Sequence, residues 1–101
     1  MEVAYSVNGV PIRLTEERWL HIIDNKPYME GYDDKILQAI EKPTCVLRGY
    51  AGSLVAILSL APQRYLHVVY KELTLNDGFI ITAFIATKYN RRQVIWSLHN
   101  S

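Results

Sequence analysis

A chain of 101 residues, 50% hydrophobic and 21% charged, is expected to form one folded domain over residues 1–101 rather than a disordered segment. The single cysteine, Cys45, excludes an intramolecular disulfide and a thiolate zinc site, and its isolation points to an intracellular, cytoplasmic protein. Net charge is +1, yet residues 1–41 hold four Lys/Arg against eight Asp/Glu (−4) and residues 42–101 hold seven against two (+5); this argues against bulk DNA coating and leaves a second half suited to a polyanion.

Met1 to Tyr5 has no basic region leading into a long apolar run, so it does not read as a signal peptide. Val3 to Val7 reads as a strand. The turn Asn8-Gly9 then leads into a hairpin partner over Val10 to Leu14. Thr15 is placed to cap a helix from Glu16 to Asp24, whose apolar face is Trp19, Leu20, Ile22 and Ile23. Asn25-Lys26-Pro27 ends it. Asp33 caps a second helix, Asp34 to Glu41, with Ile36, Leu37 and Ile40 inward and Pro43 as its stop.

Strands are expected over Thr44 to Tyr50, Leu54 to Leu60, Tyr65 to Leu73 and Phe79 to Thr87. Ala51-Gly52-Ser53, Pro62-Gln63 and Asn76-Asp77-Gly78 connect them, and a basic tail, Lys88 to Arg92, follows. The stretch Leu54 to Ala61 is broken by Ser59 and is too short to span a bilayer, so no membrane role is expected. The fold class is therefore α+β: two N-terminal helices packed on one face of an antiparallel β-meander sheet.

Strand alternation sorts the polar residues by face. Leu66, Val68 and Tyr70 point one way, and Tyr65, His67, Val69 and Lys71 the other. In the last strand Ile81, Ala83 and Ile85 share a face, while Thr82, Phe84, Ala86 and Lys88 share the opposite one. If Asp77-Gly78 is the two-residue turn, Lys71 falls opposite Phe84, and Lys71, His67, Tyr65, Thr82 and Lys88 come out together on the face away from the helices. A one-residue change in the turn would flip that relation. His21 lies opposite the apolar stripe of its helix, near Glu17 and Asp24, where an imidazole is free to move protons near neutral pH. His21, His67 and His99 lack metal-ligand spacing, and no Gly-rich phosphate loop or Ser-His-Asp signature is present, so neither metal nor cofactor is expected.

The order of five segments is the most informative pattern. They are Arg13-Leu14-Thr15-Glu16-Glu17-Arg18-Trp19-Leu20-His21-Ile22, Asn25-Lys26-Pro27-Tyr28-Met29, Ile36 through Pro43, Tyr65-Leu66-His67-Val68-Val69-Tyr70-Lys71, and Gly78-Phe79-Ile80-Ile81-Thr82-Ala83-Phe84. Over residues 10 to 90 this order resembles the barnase–EndoU–colicin–RelE-like nuclease superfamily, especially its small phage- and mobile-element-associated members. The resemblance implies a RelE/barnase-like domain that cleaves RNA without metal, as a toxin neutralised by an antitoxin or immunity protein. It implies His21, Lys71 and Thr82 as the catalytic set. His21 would transfer the proton, Lys71 hold the scissile phosphate, and Thr82 bond a phosphate oxygen. Arg48, Tyr65, His67, Lys88 and Tyr89 would bind substrate, the tyrosines by stacking on bases.

Two readings compete with the nuclease: a protein-binding module anchored by Tyr65, Phe84 and Trp96, and an RNA-binding regulator that does not cut. Convergence of His21 and Lys71 in one cleft separates the nuclease from both.

Overall fold

The N-terminal hairpin pairs β1 (Glu2–Tyr5) with β2 (Pro11–Leu14), antiparallel. Its turn is tied by Ser6, whose Oγ accepts from the backbone N–H of Asn8 and Val10, each at 3.3 Å. Thr15 caps the helix α1 (Glu16–Asn25) as its residue type requires, its Oγ1 accepting from Arg18 N–H at 3.1 Å. A 3₁₀ turn at Pro27–Met29 leads to α2 (Asp33–Glu41). Then come β3 (Cys45–Arg48), β4 (Leu54–Ala61), β5 (Arg64–Thr74), β6 (Asp77–Ala86) and β7 (Val94–Ser97). The computed structural model describes residues 1–98, so His99 lies outside it.

The architecture is α+β, two helices and a seven-stranded mixed sheet in the order β1-β2-β6-β5-β4-β3-β7. β3, β4, β5 and β6 are antiparallel neighbours in chain order. The sheet departs from a pure antiparallel meander at both ends. β2 joins β6 in parallel through Ile12↔Gly78 and Arg13↔Phe79, a pairing that needs a long connection, which residues 15–76 provide. At the other end β7, a segment to which the sequence assigned no element, pairs antiparallel with β3.

The β5–β6 hairpin turns earlier than its Asn-Asp-Gly signal indicates. Thr74 pairs with Asp77, leaving Leu75-Asn76 as the loop, and His67 rather than Lys71 faces Phe84. Over Tyr65 to Val69 the observed pairing is shifted from the expected one by four residues, an even number, so these side chains and those of Thr82 to Ala86 keep their expected faces. A bulge then makes the shift five residues over Tyr70 to Glu72: Val69 pairs with Thr82 and Tyr70 with Ile80, leaving Ile81 unpaired, setting Phe79 opposite Lys71 and giving the core place expected of Ile81 to Ile80, which is 2% exposed.

Gly78 is used for proximity rather than for turning. A Cβ there would come within 2.5 Å of both Ile12 Cδ1 and the Lys71 carbonyl oxygen, so only glycine lets β2 lie against β6.

The main core joins Ile22, Met29, Ile36, Ala39 and Ile40 from the helical segments to Ala56, Leu66, Val68, Tyr70, Ile80 and Ala83 from one sheet face. Trp19 and Ile23 pack at its margin, while Leu20, expected in that stripe, is 53% exposed. A smaller cluster forms on the other face from Cys45, Leu47 and Ile57, covered in part by Tyr65, Tyr89 and Val94. Among the described residues, no helix is long and apolar enough to cross a membrane.

Candidate functional site

The opposite sheet face is left free of helices, and the returning chain walls it on one side. After β6, residues 88–90 leave the sheet, Arg91–Gln93 form a 3₁₀ turn and β7 docks on β3. The tail therefore stands over the sheet and borders an open cleft of about 690 Å³. Leu47, Val55, His67 and Phe84 form its floor, and Lys88, Tyr89, Arg91 and Arg92 are in its wall. Among the described residues that line it, none is acidic.

His67 is 7% exposed and stacks on Phe84, ring centroids 4.6 Å apart. Its Nδ1 lies 3.1 Å from the Tyr65 carbonyl oxygen. A carbonyl only accepts, so Nδ1 carries the proton and Nε2 the lone pair. His67 lines the cleft, and its Nε2 makes no bond among the described residues. Burial holds the His67 pKa below the ordinary 6.5, outweighing the upward pull of the Tyr65 carbonyl.

Tyr89 fixes the wall. Its ring meets Tyr65 edge-on at 5.1 Å, the Arg91 guanidinium lies 4.9 Å from its centroid, and Arg91 Nη1 donates to its hydroxyl at 3.2 Å. Desolvation raises the Tyr89 hydroxyl above its usual pKa, and burial pushes the Cys45 thiol beneath it up as well. Asn90 accepts from Arg92 N–H at 3.1 Å and sets the turn that projects Arg92.

The sequence-assigned substrate group thus converges in part: His67, Lys88 and Tyr89 line the cleft, and Tyr65 backs Tyr89. Arg48 does not join them. It pairs with Leu54, which packs with the helix-side core, and alternation turns it to that face.

The three residues assigned to catalysis are not brought together. His21 lies on the helical layer in a groove of about 760 Å³ with Leu20, Asp24 and Glu30, its Nε2 3.1 Å from the Asn25 amide nitrogen. Lys71 shares the helix-free face with His67 but sits four residues along β5, roughly 13 Å away, and donates to the Ala51 carbonyl at 3.4 Å. Thr82 lies between them on β6, and its Oγ1 accepts from Lys26 Nζ at 3.2 Å. Nor do the anchors of the protein-binding reading share a face: Trp96 pairs with Val46, next to Ala56 of the helix-side core, whereas Phe84 floors the cleft.

Arg91 and Arg92 were visible in the sequence only as a basic tail. Their part in the cleft depends on β7, a four-residue strand whose partner lies far away in sequence.

No protein-family model matches this chain, nor does any curated protein or solved structure.

Proposed function

We propose that this protein binds single-stranded RNA in the helix-free cleft. The observation that carries the reading is the cleft's composition: Lys88, Arg91 and Arg92 beside a floor of Phe84 stacked on His67, with no carboxylate among its described lining. Cations that follow a phosphate backbone, alternating with flat rings for unpaired bases, are how sequence-tolerant single-strand sites are built.

A second reading, cleavage of the bound RNA, is favoured by the state of His67. A neutral imidazole with Nδ1–H committed is a base suited to take the 2′-OH proton as that oxygen bonds to phosphorus; the P–O5′ bond breaks, the leaving oxygen takes a proton from water, and the arginines stabilise charge on the phosphate. In this reading His67 takes the proton-transfer role assigned from sequence to His21, and no metal takes part. His21 and Lys71 do not converge, which counts against the catalytic set that the resemblance implied. A toxin-like nuclease of the barnase–EndoU–colicin–RelE-like kind, acting in the cytoplasm with its helices packed against one face of the β3–β6 meander and an antitoxin or immunity protein as partner, would have to work through His67 instead.

One experiment tests both. Wild type, Lys88→Ala/Arg92→Ala and His67→Gln are titrated onto labelled single-stranded RNA, followed by anisotropy for binding and by gel for integrity. The double variant, which removes two exposed cations, is expected to bind at least about tenfold more weakly, with a salt slope reduced by about 1.4. Undiminished binding rejects the cleft. RNA shortened by wild type but left whole by His67→Gln assigns cleavage to His67; RNA left whole by wild type retains binding and rejects cleavage.

A further inference from the structure

A second cationic pocket lies at the same end of the sheet, on the opposite side. It has a volume of about 310 Å³ and sits between α2 and the β4–β5 hairpin. Tyr32, the residue before α2, lines it together with Lys35 and Gln38 of the helix, which lie three apart along one side. Ser59 and Arg64 line it from the strands, and no lining residue is acidic.

Arg64 is held in place there. The β4–β5 turn puts Gln63 at φ 59°, a left-handed conformation that sets the start of β5. Arg64 Nη2 then donates to the Tyr32 hydroxyl at 2.6 Å, with the guanidinium 6.0 Å from the Tyr32 ring centroid. That bond uses one of five guanidinium N–H donors and leaves the rest for an anion. The one ion pair among the described residues, Arg13–Asp77 at 3.0 Å, involves neither Arg64 nor Lys35.

The pocket and the cleft meet at the edge of the hairpin. Tyr65, next to Arg64, pairs with Ala86 in the cleft lining, and Arg64 pairs with Ala61 in the pocket lining. From β6 across β5 to β4 is two strand spacings, roughly 10 Å. A strand leaving the cleft past Ala86 therefore reaches the β4–β5 turn directly.

We infer that the RNA site continues around the β4–β5 turn into this pocket, where Arg64 and Lys35 hold a phosphate of the flanking nucleotides and Tyr32 faces a base; the inference rests on the RNA-binding reading of the cleft. Long single strands engage both surfaces, and short ones fill the cleft alone.

The test is anisotropy on the full chain with single-stranded RNAs of about four and about sixteen nucleotides. Arg64→Glu/Lys35→Glu, at two exposed positions, is expected to weaken the long RNA at least about tenfold and leave the short one unchanged. Arg64→Gln, which keeps a donor for the Tyr32 hydroxyl, is expected to lower the salt slope for the long RNA by about 0.7, one phosphate contact. Unchanged affinity and slope for the long RNA in both variants, with Lys88→Ala/Arg92→Ala still impaired, overturns the extended site and keeps the cleft. Failure of wild type to bind either RNA overturns the cleft reading, and this inference with it.

Discussion

His67 is neutral in the fold because protonation would put a charge into a nearly buried ring stacked on Phe84. Its folded pKa lies below the unfolded value, so between the two the unfolded chain binds more protons. Stability from this residue therefore rises with pH through that window and is lost as pH falls below about 6.5. In urea melts between about pH 7 and pH 5, wild type is expected to lose stability more steeply than His67→Gln. Parallel pH profiles for the two proteins would show that His67 does not carry this dependence. The face of His67 was legible from alternation alone, as was the exposure of His21 opposite its helix's apolar stripe. Which polar residues would meet was not. His21 and Lys71 were grouped by type and order, and the sheet lies between their layers.

Elements with strong local signals formed where the sequence put them, and those that depend on distant partners did not. Thr15 followed by two glutamates and a periodic apolar stripe marks α1 in any context. Asp77-Gly78 carries an equally strong local signal for a turn, yet the glycine serves β2, which approaches from more than sixty residues earlier. Gly78→Ala is accordingly expected to destabilise the protein by about 2–3 kcal/mol by forcing β2 away from β6. A denaturant midpoint unchanged from wild type would mean that the approach is looser than 2.5 Å implies. β7 is the opposite case. Val94-Ile95-Trp96-Ser97 is too short a run to announce a strand, and β3 makes it one.

Across the whole molecule, the charge asymmetry of the sequence becomes a spatial one. The acidic residues of the first half sit largely on α1, α2 and the turn between them, while Lys88, Arg91 and Arg92 stand over the helix-free face. The composition disclosed the imbalance, but the side it would occupy depended on the return of the tail. That return has a practical consequence. The chain's one thiol, Cys45, lies 3% exposed in the small cluster that Tyr89 and Val94 cover, and its raised pKa keeps it protonated. Alkylation of native protein must then wait for the tail to lift, so the labelling rate becomes a built-in clock for that opening, and a ligand that clamps the wall will slow it.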